Sequence, residues 1–261
     1  MGVAIPGGGF SEDRASGALV VDGSTRFVKT SENVVTYLKF TPSSTGNRRT
    51  STFSCWLKRG KITEGEMRVF NAANPTGNEE RTELGFGNQN IRFHINSSGT
   101  SWKESSTTSQ FRDSSGWYHI MWVLDSTQSN GSNQRRVYVN GVEQPLTITT
   151  ALTQNEDTPF NVSGWAMYLG VYGINNQNGY DGLMSQAYWI DGLALGPGYF
   201  GYTDRLTKVW RPKKFRAVGT TINDGTVWSS GITANTLSGY PATNAFDGNT
   251  STFVMPITVQ Q

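Results

Sequence analysis

Trp117-Tyr118-His119-Ile120-Met121-Trp122-Val123-Leu124 is the longest apolar run in the chain, and its reading decides the fold class. Side chains alternate faces along a strand, so Tyr118, Ile120, Trp122 and Leu124 share one face. Trp117, His119, Met121 and Val123 share the other. A strand that is apolar on both faces must be covered on both, as at the centre of a sandwich or in a bent sheet. His119 reads as a hydrogen-bonded, partly buried ring, since no carboxylate stands at useful spacing beside it.

Downstream comes Arg135-Arg136-Val137-Tyr138-Val139-Asn140-Gly141-Val142-Glu143. Asn-Gly between two alternating runs is a strong hairpin signal, because a type I′ turn needs positive φ at both central positions. Val137 and Val139 are expected to face the core, with Arg136 and Tyr138 facing away. Further on, Gly182 to Ile190 is a strand bracketed by Asp181-Gly182 and Asp191-Gly192, placed to close the sheet against an early strand. Leu195 to Phe200 reads as a short helical turn or loop.

Upstream, strand-like runs recur between Asn/Gly and Pro/Ser loops. They are Ala18-Leu19-Val20-Val21, Val34 to Phe40, Thr52 to Leu57, Met67 to Phe70, Thr82 to Phe86 and Ile91 to Ile95. The totals agree. Among 261 residues there are 30 Gly, 8 Trp, 10 Tyr and 13 Phe, which suits many strands joined by tight turns. The expected class is all-β, an antiparallel two-sheet jelly-roll sandwich.

The formal net charge of +2 gives no general attraction to nucleic acid or an acidic membrane surface. The local basic cluster Lys208, Arg211, Lys213, Lys214 and Arg216 reads as a solvated surface turn. Cys55 is the single cysteine and sits in a strand-like run, so it is expected as a buried thiol outside any disulfide. Met1 to Gly9 has no basic or apolar signal region, and no stretch reaches the ~20 apolar residues of a helical span. The organisation expected is an N-terminal arm over residues 1–16, a sandwich over 17–217, and a linker with a further β segment over 218–261.

Four stretches resemble laminin-G-like and concanavalin A-like jelly-roll domains. They are Thr52 to Lys58, Gly116 to Ile120, Val137 to Val142, and Tyr180 to Leu183. A narrower resemblance, to tail and virion proteins of marine phages, rests on Thr41 to Arg49, Trp56 to Gly60, Trp189 to Leu195, Phe200 to Asp204 and Val209 to Lys213. Gly239 to Phe253 is similar to the opening of a discoidin-like module that here stays partial.

The resemblance implies a fold that hosts both glycoside hydrolases and sugar-binding modules. Hydrolysis needs two carboxylates across the scissile bond. The hydrolase motif Glu-x-Asp-x-x-Glu is absent, Glu64 and Glu66 flank Gly65 in a loop-like segment, and Glu79, Glu80 and Glu83 read as a polar turn. No catalytic residue is therefore expected. With two His and one Cys a zinc site has no ligand set, and Gly7-Gly8-Gly9 lacks the Lys-Ser/Thr of a phosphate loop. Laminin-G-like domains sometimes hold calcium, for which Asp125, Asp157 and Asp181 are scattered candidates without support; no cofactor and no metal is expected. Trp102, Trp165, Tyr172 and Tyr180 lie near polar loops and are the candidates for stacking on a glycan. The resulting expectation is a non-catalytic phage virion structural protein, a tail fibre or capsid-surface fibre assembled in the host cytoplasm. Its expected partners are copies of itself, other virion proteins and host surface polysaccharide, with no nucleic acid and no membrane insertion. The alternatives are a stand-alone carbohydrate-binding module and a glycan-cleaving enzyme on the same sandwich.

Overall fold

The computed structural model describes residues 21, 23–31, 34–62, 65–76, 79–173 and 175–215, together with the backbone of 232–235 and 258–260. The expected arm over 1–16, the residues Ala18 to Val20, and most of the segment expected from 218 onward lie outside the described residues. In chain order the early strands are β1 (Thr25–Phe27), β2 (Lys29–Ser31), β3 (Val34–Val35), β4 (Tyr37–Phe40) and β5 (Thr50–Arg59). Next come β6 (Glu66–Ala73), β7 (Arg81–Gly87), β8 (Asn90–Asn96), β9 (Lys103–Thr107) and β10 (Tyr118–Asp125). They are followed by β11 (Arg135–Val139), β12 (Val142–Glu143), β13 (Leu146–Ile148), β14 (Met167–Leu169) and β15 (Gly182–Asp191). Last are β16 (Gly201–Thr203), β17 (Trp210–Pro212), β18 (Ile232–Asn235) and β19 (Thr258–Gln260).

Two sheets result. The first runs β1-β15-β5-β10-β11-β12, with β19 parallel to β15. The second runs β13-β9-β8-β7-β6-β14-β4-β18. Apart from β19 the strand pairs are antiparallel. β10 lies between β5 and β11, and β15 pairs with both β1 and β5, as the reading of residues 182–190 requires.

The alternation in the central run holds residue by residue. Ile120, Trp122 and Leu124 join Phe53, Cys55, Leu57, Val137, Val139 and Trp189 in the core between the sheets, with Tyr118 packed against it. Met67, Val69, Phe70, Leu84, Phe86, Ile91, Phe93 and Ile95 line it from the second sheet. Phe53 and Phe70 stack across the gap at 4.4 Å between ring centroids. A bulge between Arg68 and Phe70 lets Val69 and Phe70 both reach this core. Burial pushes the Cys55 thiol far up, so it stays a protonated, apolar filler.

The opposite face of the first sheet holds a second apolar layer. Met121, Val123, Tyr138, Tyr188 and Ile190 point outward, and Leu195 and Phe200 close over them with Ala194 and Phe215 alongside. Thr52 Oγ1 fixes this cover, donating to Leu193 O at 2.7 Å and accepting from Leu195 N at 2.9 Å. A 3-10 turn at Pro197–Tyr199 then leads into the β16–β17 hairpin. Trp210 of that hairpin donates Nε1–H to His119 Nδ1 at 3.1 Å, and His119 Nε2 meets Ser54 Oγ at 2.8 Å. The ring thus carries its hydrogen on Nε2. His119 is fully buried, and burial lowers it to about 3, so it stays neutral at physiological pH.

The expected Asn140-Gly141 turn is present, with φ of 48° and 80°. Gly141 is doubly required: a Cβ there would also come within 2.4 Å of the Trp210 ring. Because Phe200 is 2% exposed and stacks on Phe215, Phe200→Ala is expected to lower unfolding free energy by about 3–5 kcal/mol in urea titrations. Leu206→Ala, at a side chain 93% exposed, is expected to change it by less than about 0.5 kcal/mol. Equal effects would mean the outer layer is not packed.

Candidate functional site: a charged cleft on the second sheet

Cross-strand register gathers the polar side chains of the second sheet on the side away from the core. Asn71, Glu83, His94 and Glu104 form one row across β6, β7, β8 and β9. Arg68, Gly85 and Arg92 form the next. Glu66 stands opposite Gly87. Gly87 leaves a floor without side chains, and a Cβ there would fall within 2.1 Å of Arg92 Cδ. Arg92 therefore lies flat over the sheet instead of standing into solvent.

These side chains close a ring of alternating charge. Glu66 pairs with Arg68, and Arg68 Nη2 reaches Glu83 Oε2 at 2.9 Å. Glu83 Oε2 meets His94 Nδ1 at 3.4 Å, and His94 Nε2 lies 3.1 Å from Glu104 Oε2. Glu104 Oε1 takes Arg92 Nη2 at 2.6 Å, and Arg92 returns to Glu66. Arg92 also donates to His94 Nε2.

Arg81 extends the ring outward. It holds Glu79 and lies 3.0 Å from Glu83 Oε1 through its Nε. Its guanidinium sits 4.3 Å from the Trp102 ring centroid and 5.0 Å from that of Tyr172. His94 touches the same indole, with ring centroids 5.7 Å apart. The loop carrying Tyr172, Asn175 and Gln177 walls a cleft of about 340 Å³ above Arg68 and Arg81. Arg68 N donates to Asn178 O at 2.7 Å and ties that loop to the sheet.

Glu83 is 2% exposed and Arg68 4%. Burial is the largest single influence on Glu83 and pushes its carboxyl up. The His94 hydrogen bond and the charges of Arg68 and Arg81 together outweigh it and hold Glu83 below the ordinary carboxylate value. Glu66 shows the same balance against Arg68 and Arg92, and Glu104 against His94 and Arg92. All three remain ionised at neutral pH.

Two of the four expected stacking residues meet here. Trp102 is 39% exposed beside Arg81, and Tyr172, mostly buried, presents its ring to the same guanidinium. Trp165 is half-buried in the loop before β14; of the four, Tyr172 lines the cleft itself, and Trp102 stands beside it against Arg81. Tyr180 corrects the expectation. It is fully buried, donates its hydroxyl toward the carbonyls of Lys58 and Leu183, and packs on Phe27, so it cannot stack on a ligand. Glu66 and Glu83 are also corrected, since both lie in strands rather than in a loop or turn; Glu64 lies outside the described residues. Asp125, Asp157 and Asp181 are each engaged separately, with Thr127 and Gln128, with Arg49, and with Arg26 and Lys29 N. Among the described residues no three His, Cys, Asp or Glu side chains group as metal ligands would.

The fold and this cleft define a jelly-roll sandwich with one sheet face left free and polar. Residues 31–193 match the Laminin_G_3 model, described as the concanavalin A-like lectin/glucanases superfamily. The chain belongs to that superfamily. No curated protein sequence matches it. Similar solved structures include a heptameric SAP-like pentraxin from Limulus polyphemus, at 17% identity and TM-score 0.47, covering 66% of this chain and 76% of that one. The CBM40 of a Ruminococcus gnavus IT-sialidase follows at 13% and 0.46, covering 68% and 95%. Domain 4 of an extracellular arabinanase from Geobacillus stearothermophilus, solved with arabinotriose, stands at 18% and 0.44, covering 64% and 71%. No residue role passes from them to this chain.

Breaking one member of a buried ion network leaves the others uncompensated. Glu83→Gln is expected to cost about 3–5 kcal/mol in urea unfolding at pH 7. Carboxyls lowered by folding stabilise the folded chain above their unfolded value, ordinarily 4.5, and this contribution fades as pH falls through the folded value. Wild-type stability should thus decline below about pH 4.5, and the Glu83→Gln profile should decline less steeply. Parallel profiles would show that Glu83 contributes no acid sensitivity.

Proposed function

We propose that the chain is a non-catalytic glycan-binding module whose site is the charged cleft beside Trp102. The observation that carries this reading is the closed ring around Glu83 with Arg81 held against Trp102 and Tyr172. A sugar needs a flat apolar plane for its C–H face and fixed donors and acceptors for its hydroxyls. Trp102, partly exposed at the margin of the cleft with Arg81 against its ring, offers an apolar surface, and the ring offers arginine donors beside carboxylate acceptors. Because each charge is held by its neighbours, these groups are ordered before the ligand arrives, which lowers the entropy cost of binding.

The charges also indicate which glycan. Arg68, Arg81 and Arg92 face Glu66, Glu79, Glu83 and Glu104, with His94 between them. There is no cationic excess, so a neutral, hydroxyl-rich sugar fits better than an acidic one. Glycoside hydrolysis needs one carboxyl kept protonated as the acid. Glu66, Glu83 and Glu104 are all held the other way, which supports binding without cleavage.

We further propose that the module serves a phage virion, as a tail-fibre or capsid-surface component in several copies with other virion proteins. The support is the resemblance of Trp189 to Leu195, Phe200 to Asp204 and Val209 to Lys213, the segments that build the outer layer over the first sheet. Mass spectrometry of purified particles tests this part; a particle lacking the protein sinks it.

For the cleft, binding of neutral host oligosaccharides on a glycan array is expected. Trp102→Ala and Arg81→Ala should each weaken a positive glycan about tenfold or more in calorimetry. No neutral glycan bound, or full affinity in both variants, would reject the cleft as the site.

A further inference from the structure

The first sheet carries a second groove, independent of the charged cleft. We infer that this groove, between the outer face of the first sheet and the β16–β17 hairpin, binds an acidic polysaccharide chain stacked on tryptophan and held at its rim by Lys208 and Arg211.

The groove encloses about 920 Å³ and is lined by Trp56, Trp117 and Trp210. Register explains why they meet. Ser185 pairs with Trp56 and Trp56 with His119, while Asn140 N donates to His119 O. This row crosses from β15 to the end of β11 on the outward face. Trp117 precedes His119 by two residues and so shares its face. With β1 at one end the groove crosses five strands, which at ~4.8 Å per step gives about 19 Å, a length for an extended chain.

The aromatic floor is held rigidly. Trp210 is fixed by its hydrogen bond to His119 and by the bare backbone of Gly141 and Gly201, where any Cβ would lie 2.4 Å from the indole. Trp56 packs on the other side of His119, with ring centroids 5.2 Å apart. Trp117 remains 38% exposed, beside Val142 at 63% and Val209 at 49%. A folded chain seldom leaves so many large apolar groups together on its surface without use.

Charge narrows the ligand. Lys208 and Arg211 are exposed at the rim and form no ion pair with a described residue. Among the described residues no acidic side chain lines the groove. Asp204 in the hairpin turn is held low by the backbone amides of Thr207 and Leu206 and, to a smaller degree, by Arg211. The ligand is therefore anionic and has an apolar face. An extended peptide brings two backbone polar groups per residue that need partners. The wall has few to give: Asn140 Oδ1 already accepts from His119 N, and Ser185 Oγ already donates to Gly23 O. A pyranose ring places its C–H face on an indole and keeps its hydroxyls in the water of an open groove. Carboxylates or sulfates along such a chain meet Lys208 and Arg211 without being buried.

Calorimetry of the full chain with oligogalacturonate, neutral dextran oligomers and poly-glutamate tests this at low and high salt. Saturable oligogalacturonate binding is expected, weakened by salt, with little binding of dextran. Trp117→Ala should weaken it about tenfold, and Lys208→Gln with Arg211→Gln about fivefold or more at low salt. Trp117 is partly exposed, so its replacement should leave the circular dichroism spectrum unchanged, and the rim variants give a second reading. Arg81→Ala should leave oligogalacturonate binding intact while weakening neutral-sugar binding in the charged cleft. The groove assignment is overturned if oligogalacturonate does not bind, if Trp117→Ala keeps full affinity, if poly-glutamate binds as tightly, or if Arg81→Ala abolishes the binding.

Discussion

The pairing of β5 with β10 imposes the demand from which the rest of the architecture follows. β10 carries apolar side chains on both faces, and β5 turns Phe53, Cys55 and Leu57 to the core, so the paired strands cannot leave either face of β10 to water. One side is answered by the second sheet, through Phe53, Trp122 and the rings facing them. The other is answered by residues 194–215, which lay Leu195, Phe200 and Phe215 over Met121 and Val123. A sheet covered on both sides has no free face for a ligand except at the margin of its cover. The tryptophan groove lies at that margin.

The second sheet has the complementary freedom. Its inner face is committed to the core, and its outer face is free for polar groups. Charges placed close together on such a face are costly unless each is answered, because neighbouring side chains remove water from them. The ring answers every charge twice or nearly so: Glu83 is shared by Arg68, Arg81 and His94, and Arg92 spans Glu66 and Glu104. Closure explains how Glu83 can be almost fully buried and still ionised. It also makes the face stiff, since moving one side chain breaks the pairing of two neighbours.

Much of the fold was legible because a strand period of two shows directly in residues such as Ile120-Met121-Trp122-Val123. The Asn140-Gly141 turn was legible because few residue types tolerate positive φ. The ring was not. Its members come from four strands at positions 66, 68, 83, 92, 94 and 104, and each alone looks like the ordinary solvent-facing residue of an alternating strand. Only register brings them together, and register depends on bulges such as the one after Arg68. The glycine at 87 is the one local hint, since a strand interior gains little from glycine unless something lies across it. Tyr180 misled for the opposite reason. Its neighbours Gly179 and Asp181-Gly182 read as a polar loop, but Asp181 turns inward to Arg26 and Lys29 N, and the tyrosine follows the backbone into the core.

The two histidines, both buried, serve opposite ends in this molecule. His119 lies under three aromatic rings without a carboxylate partner, so burial keeps it neutral and its two nitrogens act as a fixed acceptor and donor. It joins the outer hairpin to the central strand without adding a charge that the apolar layer could not hold. His94 lies among Glu83, Glu104 and Arg92, all of which meet its ring nitrogens. The same residue type is held by neutral contacts where its surroundings are apolar and by ionised partners where they are charged. The two faces of the sandwich inherit that difference: an aromatic groove whose floor is locked by neutral contacts, and a polar cleft whose geometry is held by charge and therefore responds to acid.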